Sequence, residues 1–595
     1  MTRQRCFQAF LSLLPTVFLI LGIPAAMALP AATESEAPAL KGVKTIIDLQ
    51  PFRQTSSIAI KDARGREGSA TLINLNSGIN AWYLLTLDWG KGAGSESYHL
   101  ENATPKTQRI LLDADTPTGL VLVEGEKRSF CDLRVTASRT GLMEARASGV
   151  TYAPLCGGRL YLRNPAKGYR TAIESAAEFL RDRIPAGEKI ETFVRDTFIV
   201  ETYREKANTA TEQKPSAERP PQAGPGNQPA PAWLDPQQAN RIVASSHLGI
   251  DIQGPSPREI APGSWYPAKE NPGVYVSLVA AGMTAPEILK SYRNVVSRME
   301  AEEADALVYL VAFDLDQFEI KYTRGTDHPR VNWSDHILER MRDKSLPGPD
   351  GIGTIAPLVS TGLIPPDDAV RTAAAFTGGF KRTHGAFMWG ELAMRNSGSH
   401  YGFMEEGVIE STLQPGLATI YSLVDGRMEM ETWTDEDRRL LPRIVSARQN
   451  GVPIIVASDP ATGISVPGPL VPRWGEGNWS GSVNRSLRTL RAGAALQEID
   501  GKRFLIYAVF TSATPSAMAR VFQAYRCRYA MLLDMNALEL TYLALYSRRG
   551  SNLYVQHLIQ GMSQVDKSVK GKYLPRFLGY PDNRDFFYLM RKEAP

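Results

Sequence analysis

The sequence predicts an α+β fold in which a mainly β N-terminal domain is joined by a Pro-rich linker to a larger C-terminal domain of mixed sheets and helices. Three observations predict it. Short β-rich runs punctuated by turn residues fill the first part of the chain, and residues 205–235 hold too few apolar side chains to fold. The stretch from Arg488 to Asn536 reads as a strand, a helix and a second strand that ends on an acidic residue.

At the N-terminus, Arg3 and Arg5 make a basic region, Phe10 to Ile23 an apolar core, and Ala26-Met27-Ala28 a small-x-small cleavage site. This is the layout of a signal peptide, placed at residues 1–28. The apolar run is shorter than the ~20 residues a membrane span needs, and it contains Pro15. The expectation is an exported protein, periplasmic or extracellular, whose mature chain starts near Leu29 and has no transmembrane segment.

Export makes the cysteines readable, because an oxidising compartment permits disulfides. Cys6 leaves with the signal. Cys131 and Cys156 then lie in one region, each beside a strand-like stretch, and are expected to be bonded. Cys527 reads as a small buried apolar residue.

The N-terminal domain is placed at residues 42–204. Ser57 to Ile60, Ala70 to Leu75, Trp82 to Leu87 and Gly119 to Glu124 read as strands, and the turns between them favour a small sandwich or barrel. Ile173, Ala177, Leu180 and Ile184 then share one face of a helix from about Ala172 to Ile184. The linker, residues 205–235, contains KPSAERPPQAGPGNQPAPA.

The C-terminal domain is placed at residues 236–595. Pro286 opens a helix in which Ile288, Tyr292, Val295 and Met299 recur at helical spacing. Ala306 to Phe313, Phe318 to Tyr322, Ala418 to Val424 and Pro453 to Ala457 read as strands. Few crossover helices separate them, which argues against a regular parallel sheet. Arg503 to Phe510 follows an Asp500-Gly501 turn as an apolar strand, and Thr514-Pro515 caps a helix with Met518, Val521, Phe522 and Tyr525 on one face. Tyr529 to Leu533 is short and apolar, a buried strand that delivers Asp534 at its end.

Composition narrows the function classes. The 595 residues suggest two or more domains, and 43% hydrophobic with 22% charged residues is ordinary for a globular protein. The net charge of +4, from 67 basic and 63 acidic residues without a dense basic run, gives no electrostatic case for nucleic acid. There is no G-x-S-x-G elbow, no H-E-x-x-H, and no Gly-Lys pair followed by Ser or Thr as a P-loop requires. Seven His without a paired Cys motif predict no metal site.

The order Arg-Thr, Gly, Asp-Gly-basic, apolar strand, Thr-initiated helix and Ala-Met-x-Leu-Asp in residues 488–534 resembles the core of the phosphodiester glycosidase family. Ala374 to Phe380 (AAFTGGF) and Pro415 to Trp433 are similar to that family's earlier strands, so the resemblance spans residues 305–545. It implies that the C-terminal domain has that family's fold and that its substrate is a carbohydrate carrying a glycosyl phosphodiester, a sugar-1-phosphate linkage. The chain departs from the pattern after Asp534, where Met535-Asn536-Ala537 stands in place of a glycine run and a serine, and at Thr377, in place of asparagine.

Cleavage at the anomeric carbon releases a phosphate monoester, a good leaving group, so basic groups that neutralise it can replace a strong general acid. Arg488, at the family's Arg-Thr position, is the candidate for binding phosphate; a surface salt bridge is the alternative. A carboxylate must stabilise the oxocarbenium-like transition state or activate water. Asp534 is the candidate, against a helix N-cap or an ion pair with Arg488, and Glu539 is a second carboxylate five residues on. Gly378 and Gly379 can present backbone N–H groups to an anion, with Lys381 and His384 adding charge and Asn536 lying beside Asp534. Trp474 and Trp479, in a Pro/Gly-rich loop, are candidates for stacking on sugar rings. The rival reading is a catalytically inactive glycan-binding or envelope-assembly protein on the same scaffold.

Overall fold

A computed structural model describes residues 44–90, 94–137, 140–171, 174–175, 208–209, 228–254, 259–328, 330–334, 337–381, 387, 390–395, 401–473 and 488–593. The expected signal peptide, most of the expected 172–184 helix and most of the linker lie outside these residues. The fold is mixed and strand-rich, with 41% strand and 15% helix, in keeping with an α+β reading. Among the described residues every pairing between named strands is antiparallel.

In the N-terminal part, Gln54–Lys61, Glu67–Asn74, Trp82–Asp88, Ser95–Asn102, Leu160–Arg163 and Tyr152–Leu155 form a six-stranded sheet in that order. Gln108–Leu111, Gly119–Glu124 and Lys127–Asp132 form a three-stranded one. Leu72, Leu85, Leu100, Leu120, Leu122 and Cys131 are buried together in the core these strands share. The Cys131–Cys156 disulfide joins the two sheets, as the sequence predicts.

The central sheet has eight strands: Tyr266–Pro267, Val274–Ala280, Leu307–Asp314, Lys502–Ala513, Thr489–Ile499, Tyr529–Met535, Pro453–Ser458 and Ser465–Pro467. Asp500 and Gly501 take φ of 48° and 79°, the left-handed pair that a tight hairpin demands. The helix Pro515–Ala524 is buried on all sides, and the Thr514 side chain caps it by accepting from Ala517 N. Cys527 is a free thiol, fully buried as expected. Two five-stranded sheets complete the layers. One runs Phe318–Thr323, Phe586–Arg591, Thr372–Thr377, Leu543–Arg549, Asn552–His557; the other runs Val408–Ser411, Phe403–Glu405, Ile444–Gln449, Ala418–Leu423, Met428–Thr432.

The helix expected from Pro286 through Met299 is a correction: it stops at Lys290, Ser291 is extended, and Tyr292 has φ of 47°. The guanidinium of Arg520 supplies the reason. It donates to the carbonyls of Ile288 (2.7 Å), Leu289 (3.4 Å) and Ser291 (2.8 Å), satisfying the last turn from outside. Tyr292, Val295 and Met299 still pack against the core, so their spacing marks burial rather than a continuous helix.

Buried charges tie the N-terminal sheet to the rest. Arg163 stacks over Trp82 at 4.0 Å, pairs with Glu101 at 2.5 Å and reaches Glu405 at 3.8 Å, while Arg324 pairs with Glu410 at 2.7 Å. Three carboxyls thus share two guanidinium groups away from water. Burial pushes Glu101 and Glu410 up to about 7 and Glu405 up to about 8, against the pull of the arginines.

Candidate functional site

Four chain segments converge where strands of two sheets end. Tyr529–Met535 brings Asp534, and Thr372–Thr377 runs into Gly378, Gly379, Phe380 and Lys381. The strand Phe318–Thr323 is followed by Arg324 to His328, and Phe586–Arg591 is preceded by Asp582-Asn583-Arg584-Asp585. The last segment folds on itself, because Asp582 Oδ1 accepts the Arg584 N–H at 2.9 Å, an Asx-type turn. Arg576 clamps the same carboxylate with two bonds of 2.8 and 3.0 Å.

From there the charges alternate inward from the surface. Half-buried Arg170 binds Asp327 Oδ2 at 2.5 Å, Lys381 Nζ reaches Asp327 at 3.1 Å and Glu174 Oε1 at 2.9 Å, and Arg584 Nε reaches Glu174 at 3.1 Å. Arg584 Nη1 then donates to Asp534 Oδ2 at 2.6 Å, while Asp534 Oδ1 accepts the Met535 N–H at 2.9 Å. Asp534 is 3% exposed. Burial pushes its carboxyl up to about 6 against the pull of Arg584. Glu174 is different: despite its burial, Arg584 and Lys381 hold it well below the usual carboxylate range.

Behind this row, Arg448 fixes the glycine turn. It donates to Asp585 Oδ2 (2.7 Å), Asn450 Oδ1 (2.8 Å) and the Phe380 carbonyl (2.7 Å). Asn450 in turn accepts the Phe380 N–H at 3.1 Å and donates to the Leu532 carbonyl at 2.7 Å, linking the turn to the strand of Asp534. The fit leaves no room for a side chain: a Cβ on Gly378 would lie 2.7 Å from Asp585 Oδ2, and one on Gly379, where φ is 150°, 2.9 Å from Arg448. Burial opposes ionisation of Asp585, but Arg448 holds it below its ordinary value. His328 is fully buried, its Nε2 3.7 Å from Asp585 Oδ1; burial lowers it to about 4, so the ring is neutral at pH 7.

The structure brings Asp534, Gly378, Gly379 and Lys381 into this cluster and places Glu539 at its edge, where Thr171 Oγ1 donates to Oε1 at 3.0 Å. Burial raises the Glu539 carboxyl. Asn536 takes φ of 81°, the left-handed conformation that asparagine tolerates better than most residues, and accepts from Thr489 Oγ1 at 3.1 Å. Arg488 turns elsewhere: it pairs with Glu300 and, at 3.6 Å, with Glu302. Asp534 therefore has Arg584, not Arg488, as its ion-pair partner. His384, Trp474 and Trp479 lie outside the described residues.

Sequence reasoning missed Glu174, Asp327, Arg448, Asn450 and the segment 582–585. One signal was available for the last: a run of four polar or charged residues placed directly before the apolar strand Phe586–Arg591. No group of three or more His, Cys, Asp or Glu able to hold a metal occurs among the described residues. An apolar cavity lined by Ile409, Leu413, Trp433 and Leu441 shares no residue with the cluster.

No family model and no curated protein matches the chain. Among solved structures, the catalytic domain of zebrafish N-acetylglucosamine-1-phosphodiester alpha-N-acetylglucosaminidase is similar at 9% identity with a TM-score of 0.27, covering 62% of this chain and 97% of that one. A hypothetical protein from Synechocystis is similar at 9% identity with a TM-score of 0.26, covering 86% and 97%. Likenesses this distant carry no argument about chemistry.

Proposed function

We propose that the protein is an exported hydrolase that cleaves a glycosyl phosphodiester in an envelope or extracellular glycan. One observation carries the reading: a buried carboxyl of raised pKa, Asp534, sits against Arg584 and, through Glu174, beside Lys381, at the end of the strand whose sequence resembles the phosphodiester glycosidase core. In this reading Lys381 and Arg584 neutralise the departing phosphate monoester, the role that the family resemblance implies for Arg488. Asp534 faces the sugar, stabilising positive charge at the anomeric carbon or activating water. Glu539 is the second carboxyl. Export is supported by the signal-like N-terminus and the disulfide, and no helix among the described residues is long and apolar enough to cross a membrane.

The test is sugar release from a panel of glycosyl phosphodiesters by residues 29–595 and by Asp534→Asn, with circular dichroism as the folding control. The expected loss in kcat/KM is roughly 10²–10⁴-fold. One observation favours a second reading, a glycan-binding scaffold without turnover: both oxygens of Asp534 are already engaged, by Arg584 and by the Met535 N–H. Glycan binding that survives Asp534→Ala, with no turnover in either protein, would select it.

A further inference from the structure

The most unusual feature of the cluster is the origin of Glu174. Apart from Arg170 on the same segment, the other ionic groups around Asp534 come from residues 327–585, whereas Glu174 arrives on a segment from the N-terminal half that is laid across the cluster and pinned residue by residue. Gly168 N donates to Thr326 Oγ1 (3.1 Å), Tyr169 N to the Pro581 carbonyl (2.9 Å) and Thr171 Oγ1 to Glu539 (3.0 Å), and Arg170 pairs with Asp327. Thr171 Oγ1 also accepts the Glu174 N–H at 3.0 Å, which fixes the direction of the acidic residue.

A single oxygen, Glu174 Oε1, receives Lys381 Nζ at 2.9 Å, Asn583 Nδ2 at 3.0 Å and Arg584 Nε at 3.1 Å. Lys381, Asn583 and Arg584 are 5%, 1% and 8% exposed. Two cations and an amide aimed at one oxygen from a water-poor wall are the donor set that recognises a phosphate oxygen.

We propose that Lys381, Asn583 and Arg584 form a phosphate subsite and that the carboxylate of Glu174 occupies it in this structure as an internal surrogate. A phosphoryl group enters by displacing Glu174, and the donors already in place pass from carboxylate to phosphate oxygen. The substrate class rests on the hydrolase reading above; the anion subsite itself does not require turnover.

Calorimetric titration of residues 29–595 with inorganic phosphate, and separately with a sugar 1-phosphate, tests this against Glu174→Ala and Glu174→Gln. The expected result is phosphate affinity at least tenfold higher in either variant than in the parent, lost again when Lys381→Ala is added. If Glu174→Ala is not folded by circular dichroism, Glu174→Gln, which keeps the volume and one acceptor, decides the matter. Phosphate affinity unchanged from the parent in a folded variant overturns the subsite. Equal binding of both ligands identifies phosphate alone as the recognised group, whereas tighter binding of the sugar phosphate places the sugar in the same site. Phosphate binding with no sugar release keeps the subsite and removes the hydrolase; sugar release with unchanged phosphate affinity does the reverse.

Discussion

Raising the pH from 6.5 to 8.0 is expected to destabilise this protein, through the buried group formed by Glu101, Glu405, Glu410, Arg163 and Arg324. Lys321, Glu406 and Asp368 are the charged neighbours, Lys321 bonding both acids at 2.8 and 3.0 Å. The three carboxyls stand at about 7, 8 and 7, against 4.5 for an unperturbed glutamate. The native state therefore holds protons that the unfolded chain has released. Stability from this source is complete below 4.5 and is lost as pH rises through about 7 and then 8. One proton of difference is worth about 1.4 kcal/mol per pH unit, so the three together lose about 3 kcal/mol over that window. The buried histidines His99 and His328, both lowered by desolvation, are half-charged in the unfolded chain at pH 6.5 and lose that charge by 8.0, which offsets about 0.8 kcal/mol of the loss. Urea melts followed by circular dichroism at the two pH values measure the loss. In Glu410→Gln the loss should be smaller, because the variant removes one titration and the charge that adds to burial in raising Glu405. Stability that is level or rises between pH 6.5 and 8.0, or a loss of the same size in Glu410→Gln, would refute the reasoning.

Two further outcomes are expected from local structure. Cys131→Ser opens a bridge of sequence separation 25 and should cost about 3 kcal/mol, seen as a shift of the urea midpoint that reducing agent reproduces in the parent. Gly379→Ala places a Cβ 2.8 Å from Asn450 Oδ1 and 2.9 Å from the Arg448 guanidinium at φ of 150°, and should lower stability by about 3 kcal/mol in the same assay; a loss under about 0.5 kcal/mol would mean that the turn relaxes freely.

The strand of Asp534 was legible because Tyr529 to Leu533 is an unbroken apolar run with one acid at its end, and burial on both faces leaves such a strand no alternation to blur. The hairpin before it was legible from Asp500-Gly501, and the helix between from Thr514-Pro515, since both are local demands of φ and of capping. Val274–Ala280 carried the same apolar signal and could have been read from it. What surrounds Asp534 could not be read. Arg584 lies fifty residues downstream and Glu174 hundreds upstream, and their meeting depends on the pairing of Phe586–Arg591 with Phe318–Thr323 and Thr372–Thr377, which no local spacing encodes. The length of the 286 helix failed for a related reason: its terminating donor is Arg520, a residue from another element.

Sugar release from glycosyl phosphodiesters by residues 29–595 and by their Glu174→Gln variant, with Asp534→Asn added to each, tests the central claim most directly. The account predicts release by at least one of the two, abolished by Asp534→Asn while the protein stays folded. Release that persists in folded Asp534→Asn, or none from either protein across the panel, would contradict it.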